Sequence, residues 1–349
     1  MSAKQYAMEG FLAILMVLGI FGNVNVIVAV ARKKVLRTKG AMLVFVLAIS
    51  HLVCNLSELK VLLQRVRFQK MKGRDCFEQN IPYSFAIMFQ SGLFLSMSLD
   101  LCFCIMFPIK HMLWPKTKYV LIMCILPTIF SVAMCIVNFL FITDEYAPYC
   151  AFMLTMDDGV YELVSSAVVI CNIATLAISI VSVLVAVKKS QDMRNHRHSQ
   201  NSRRSSTCEE RRKVFRSTFY IMAFYIICWM TSSVIAKTLL IIFGDEKKLL
   251  EYLPYLMIIT MPNFCQAFFV TYFRSPRFRK AYKEHFHKLT CGCLFSDVFD
   301  MPDPRFGESG SRHDSATNPQ APTEVEVKPK ENQKEYQKKT VRILEAEAI

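Results

Sequence analysis

The chemically versatile side chains of this chain are scattered in a way that suits recognition better than bond cleavage. His51 stands alone in an apolar stretch, Asp100-Leu101-Cys102 closes a second, and Cys228-Trp229 lies inside a third. A metallohydrolase needs a His pair on one helix face, and a serine hydrolase needs its nucleophile on a tight Gly-flanked turn. An intramembrane acid protease needs paired aspartates, and a nucleotidase a Gly-rich phosphate loop. No His-x-x-x-His pair, nucleophile elbow, paired intramembrane Asp or phosphate loop occurs in the 349 residues. No metal or cofactor site is expected, and the chain does not read as an enzyme.

The elements that must hold these residues are set by hydrophobicity. The composition is 53% hydrophobic and only 20% charged, with a mean hydropathy of +0.30. That balance excludes an ordinary soluble domain, a disordered chain and a collagen-like repeat. A membrane helix needs about 20 apolar residues to cross roughly 30 Å of hydrocarbon. Seven runs qualify: Gly10–Ala31, Ala41–Leu63, Gln79–Ile109, Tyr119–Thr143, Leu163–Val187, Ser217–Gly244 and Tyr252–Phe273. The expected fold is an all-α membrane protein, a seven-transmembrane helix bundle. An odd number of spans puts the two chain ends on opposite sides.

Lysine and arginine near the span ends set the orientation. The loop after span one carries Arg32, Lys33, Lys34, Arg37 and Lys39. The loop after span three carries Lys110, Lys116 and Lys118, and the loop after span five is the most basic of all, including Arg211, Arg212 and Lys213. Span seven is followed by Arg274, Arg277, Arg279, Lys280 and Lys283. The stretch from Asp144 to Glu162 has five acids and no Lys or Arg, while the basic loop Lys60–Arg74 dissents. The majority places the N-terminus outside and the C-terminus in the cytoplasm of a multi-pass protein of the plasma membrane. The net charge of +14 then faces anionic lipid and partner proteins, and nucleic acid is not an expected partner.

This topology sorts the thirteen cysteines. Eight fall within spans, and Cys208, Cys291 and Cys293 are cytoplasmic, where thiols stay reduced. Only Cys76 and Cys150 share the oxidising side, so they most simply pair with each other and pin the loop between spans four and five over the bundle mouth. The alternative is two free thiols.

Seven spans, an outside N-terminus and Cys76 at the top of span three resemble a rhodopsin-like G-protein-coupled receptor. Span one carries Gly22-Asn23, and span two carries Leu47-Ala48-Ile49-Ser50-His51, similar to the family's Leu-Ala-x-x-Asp. Asp100-Leu101-Cys102 followed by Pro108 is similar to Asp-Arg-Tyr with its later Pro, and Cys76 lies 24 residues before Asp100. Cys228-Trp229 resembles Cys-Trp-x-Pro, and the segment Ser275–Tyr282 resembles a short amphipathic eighth helix. Within the family, Lys34-Val35-Leu36-Arg37 and the run Phe273–Ala281 resemble nematode serpentine chemoreceptors of the Srsx type. The resemblance implies an extracellular N-terminus over 1–9, a receptor domain over 10–274, the eighth helix over 275–290 and a cytoplasmic tail over 291–349. It also implies ligand sensing passed inward to heterotrimeric G proteins.

Several departures touch the family's switch. The span-three Arg is Leu101, the span-two Asp is His51, and the Pro after the span-six Trp is Thr231. The span-seven Asn-Pro-x-x-Tyr falls on Ala267–Thr271. Coupling through Asn23, His51, Asp100, Leu101, Arg211 and Arg212 is therefore expected to be weak or atypical. Asp100 loses its adjacent ionic partner, leaving water and Lys110 nearby. A non-signalling partner or decoy receptor is the alternative, with a transporter or channel behind it. An imidazole at position 51 suits sodium poorly, since hard cations take oxygen ligands. His51 reads as a neutral histidine satisfied by Gln90 and Asn23, with a pH sensor as the competing reading.

Span three shows a helical stripe of Tyr83, Ile87, Gln90, Phe94, Met97 and Leu101 that should face the bundle. Tyr83, Ile87, Trp229, Ser233, Met257 and Met261 are the expected lining of a ligand pocket, with Trp229 as its floor. Glu58 and Glu162 are the outer-half acids. Such a pocket suits a small organic, lipid-like or peptide-end ligand. Position 83 is Tyr and not the Asp that the family's amine receptors use as counter-ion, so the resemblance argues against an aminergic ligand. The acidic outer loop favours a cationic ligand and the basic loop an anionic one, so the loops leave the charge open. Gln191–Glu210 should be a mobile loop. Phe278, Tyr282 and Phe286 recur every four residues, which predicts an amphipathic helix lying on membrane lipid, with Cys291 and Cys293 as candidate palmitoylation sites.

Overall fold

Backbone amides in hydrocarbon find no water, so an apolar run that crosses it must close its hydrogen bonds internally, as a helix. All seven runs do so in the computed structural model, which describes residues 3–67, 71–142, 146–147, 150, 156–196, 205–243 and 246–289. In order the elements are α1 (Ala3–Arg32), a 3-10 turn (Lys34–Leu36), α2 (Lys39–Val66), β1 (Met71–Lys72), α3 (Gly73–Met106) and α4 (Pro108–Leu113). There follow α5 (Lys116–Leu140), β2 (Tyr146–Ala147), α6 (Asp158–His196), α7 (Ser205–Phe243), α8 (Glu246–Arg274) and α9 (Pro276–Leu289). Helices α1, α2, α3, α5, α6, α7 and α8 each hold a stretch long and apolar enough to span a bilayer.

The helices outrun their apolar cores. At 1.5 Å per residue the long ones measure about 37 to 58 Å, against roughly 30 Å of hydrocarbon. α1 begins two turns before Gly10, α6 runs to His196, and α7 starts at Ser205. The expected mobile loop Gln191–Glu210 is thus helical at both ends, and residues 197–204 lie outside the described ones. Hydropathy reports where lipid ends, whereas intrahelical hydrogen bonds persist into water. The opposite error occurs at Pro108. The expected span three ran on to Ile109, but α3 stops at Met106 and Pro108 opens α4, where its missing N–H costs nothing.

Burial is inverted relative to a soluble protein. Leu121, Ile122, Ile125, Leu126 and Ile129 of α5 are exposed, while Ser131 and Asn138 of the same helix are buried. Polar side chains turned inward and aliphatic ones outward are the arrangement a bilayer selects, since lipid solvates the second and not the first. α3 is the most enclosed of the seven spans and packs against α2, α5, α6 and α7. Small residues allow the closest approaches. A Cβ on Gly92 of α3 would stand 3.0 Å from Pro127 of α5, and one on Gly22 of α1 would stand 2.8 Å from Cβ of Phe268 on α8.

At one end Cys76 and Cys150 form a disulfide with Cα atoms 5.3 Å apart. Beside it, β1 pairs antiparallel with β2, Met71 opposite Ala147 and Lys72 opposite Tyr146. The basic and acidic loops that pulled the charge reading in opposite directions are therefore joined to each other. At the other end, the apolar stripe of α9 packs against protein. Tyr282 is fully buried, with its hydroxyl 2.8 Å from Oγ1 of Thr271, and Phe286 stacks on Phe21 at 5.5 Å. The stripe serves to seat α9 on α1 and α8. Cys291 and Cys293 lie outside the described residues, and Arg211 and Arg212 sit on α7 with side chains outside them.

Candidate functional site

A cavity of about 150 Å³ opens at the disulfide end. The second halves of α2 and α7 and the first halves of α3, α6 and α8 enclose it, because successive spans alternate direction and bring those halves to one end. Of the six residues expected to line a pocket, Tyr83, Ile87, Trp229, Ser233 and Met257 do so. Met261 does not: it is wholly buried one helical turn beyond Met257, packed with Leu12, Met16 and Phe264. Glu58 lines the cavity, whereas Glu162 is exposed on α6. The stripe of α3 faces inward as its spacing implied, with Ile87, Gln90, Phe94, Met97 and Leu101 all buried.

Three residues of the site were not legible beforehand. Arg65 lines the cavity and forms an ion pair with Glu9 of α1 at 3.3 Å, both side chains 8% exposed. Asn80 donates from Nδ2 to the Cys150 sulfur at 2.8 Å, tying the disulfide to the cavity wall. Arg65 and Glu9 stand beyond the apolar runs, so hydropathy assigns them to water. Only their opposite charges at matching depth on neighbouring spans hinted at a pair.

Below the cavity lies a polar layer. Asn23 donates to the backbone oxygens of Gly19 and Phe264, at 2.8 and 2.7 Å, and Gln90 donates to the Cys54 sulfur at 3.1 Å. Both expected partners of His51 are thus engaged elsewhere. His51 is fully buried, meets Phe264 edge to face at 5.6 Å, and has no hydrogen-bond partner for either ring nitrogen among the described residues. Trp229 packs against two apolar clusters, one toward the disulfide end and one toward the opposite end. Its neighbour Tyr225 stacks on Phe94 at 3.7 Å and shares a hydrogen bond with Ser91 at 3.0 Å.

At the opposite end Leu101 is buried in the cluster that includes Met97, Met222 and Tyr225. Asp100 is buried and has a partner that the sequence reading did not name. Its Oδ1 lies 2.9 Å from Nε2 of His111 on α4. Lys39 donates to the backbone oxygen of His111 and lies over the ring of Tyr119 at 4.7 Å, while His111 meets Tyr119 edge to face at 5.2 Å. The Pro108 break makes this contact possible, because it turns α4 back toward the end of α3. A second cavity of about 170 Å³ lies at this end, walled by Leu36, Val44, Ile221, Thr271 and Phe278 among others.

Over residues 16–286 the chain matches the family described as the serpentine type 7TM GPCR chemoreceptor Srsx. No curated protein matches it. Among solved structures it is similar to the crystal structure of squid rhodopsin, with a TM-score of 0.63 and 17% sequence identity, over 85% of this chain and 89% of that one. At that identity the likeness speaks for the seven-helix fold alone, and the family match speaks for a receptor rather than a catalyst. The chain belongs to the Srsx family of serpentine seven-transmembrane G-protein-coupled chemoreceptors.

Proposed function

We propose that this receptor sits in the plasma membrane with its N-terminus and the disulfide end outside. The cavity at that end binds a small organic, lipid-like or peptide-end ligand, and the opposite end engages a heterotrimeric G protein. The observation that carries the reading is Trp229. It forms part of the cavity wall and packs against the apolar clusters of both ends, so a ligand that shifts it shifts both. The cavity is mostly apolar with a few polar handles, the character of a small-molecule site.

The test is expression with a panel of promiscuous G proteins while odorants and short peptides are screened, with Ile87→Trp as a cavity-filling control. A second-messenger response lost in Ile87→Trp at equal surface expression supports the reading. A response untouched by that substitution removes the cavity from it. A second reading, a non-signalling partner of another receptor, is favoured by Leu101 sitting buried where the family pattern has an arginine. Ligand binding with no second-messenger change, and unaltered by Leu101→Arg, supports that reading instead.

A further inference from the structure

The charges around the cavity do not balance, and the imbalance specifies a ligand class. Among the described residues, two that line it carry formal charge, Glu58 and Arg65. Arg65 is already committed, since its guanidinium pairs with Glu9 at 3.3 Å. Glu9 is not part of the cavity lining; it sits on α1 and neutralises Arg65 from behind the wall. One guanidinium thus answers two carboxylates, Glu9 and Glu58, each less than a tenth exposed. Arg65 also acts on Glu58 at longer range, so the carboxylate that faces the cavity holds the lesser share of that one positive charge. Tyr83, a neighbour of Glu58 in the wall, supplies a hydroxyl but no charge. The rest of the wall is uncharged and mostly apolar, with Ile87, Val164 and Leu256 beside a few hydroxyls and the Asn80 amide.

A carboxylate withdrawn from water with only a share of one guanidinium is costly, and a ligand that brings a second cation recovers that cost on binding. An anionic ligand meets the reverse situation, because the only described cation in the wall is taken. We infer that the cavity selects ligands carrying a protonated amine on an apolar body, the amine pairing with Glu58 while Glu9 holds Arg65 out of competition. This rests on the cavity being the ligand site and adds what it binds. It also answers the question the two loops left open. The basic segment contributes Arg65 to the wall in an already neutralised form.

The experiment uses the full-length receptor in lipid nanodiscs and three probes with one phenylbutyl body: phenylbutylamine, phenylbutanol and phenylbutyrate. Apparent affinities come from thermal-shift titration, which needs no G protein, so a failure of coupling leaves the result intact. Phenylbutylamine should bind on the order of tenfold more tightly than the alcohol, with the carboxylate weakest. Glu58→Gln should reduce the amine to the affinity of the alcohol. Glu9→Gln should do the same although it lies outside the wall, because Arg65 is released to neutralise Glu58. That second variant keeps the test alive if the first does not fold. Equal binding of all three probes, preference for the carboxylate, absence of amine binding, or an amine preference that survives both substitutions overturns the inference. Equal binding that Ile87→Trp abolishes overturns charge selection but spares the cavity; binding that Ile87→Trp leaves intact overturns the cavity reading as well.

Discussion

The two ends of the bundle use the same device, an acid–base pair largely withdrawn from the surface, to opposite effect. At the disulfide end Arg65 and Glu9 lie against a cavity, and a further carboxylate, Glu58, faces into it. At the opposite end Asp100 and His111 are closed in by Lys39 and the Tyr119 ring. A pair beside a cavity can be retuned by whatever enters. A pair sealed by its own protein changes only when the helices carrying it move apart. The first arrangement suits sensing and the second suits a latch, here made by a histidine from α4 where the family pattern supplies an arginine next to the aspartate.

The difference can be broken at either end, and the disulfide end should yield most. Cys76→Ala or Cys150→Ala opens a loop closed across 74 residues and should cost about 4 kcal/mol, read as thermal unfolding in nanodiscs together with loss of ligand response. Arg65→Met strands two buried carboxylates and should cost about 3 kcal/mol by the same measurement. A cost below about 1 kcal/mol would mean that the pair is solvated. At the opposite end His111→Phe keeps an aromatic ring against Tyr119 but removes the partner of Asp100. It should cost about 2 kcal/mol and raise ligand-independent signalling. Lys33→Met, which breaks the exposed pair to Glu284, serves as the control and should change stability by less than about 0.5 kcal/mol.

The seven spans were legible because membrane helices are selected by apolar length, a property a sequence displays directly. Their extents were not, since α1, α6 and α7 run into water where hydropathy is silent. The inward stripe of α3 could be read from its spacing, yet the same reasoning placed Met261 in the cavity one turn too deep. Polar partners were the weakest inference. Asn23, Gln90 and Asp100 each had several acceptors or donors in range, and they chose a backbone oxygen, a sulfur and a histidine from a separate helix. Such choices depend on helix rotation to within a fraction of a turn. The amphipathic stripe of α9 was recognised, but a stripe does not say whether lipid or protein will cover it.

The division of labour between the ends is tested most directly by which end meets the exterior. Cells expressing Ser233→Cys, inside the disulfide-end cavity, or Lys33→Cys, at the opposite end, would be treated intact with a membrane-impermeant thiol reagent and compared with the parent chain. The account predicts new labelling at Ser233→Cys and none at Lys33→Cys. Labelling at Lys33→Cys with none at Ser233→Cys would place the cavity on the cytoplasmic side and contradict it.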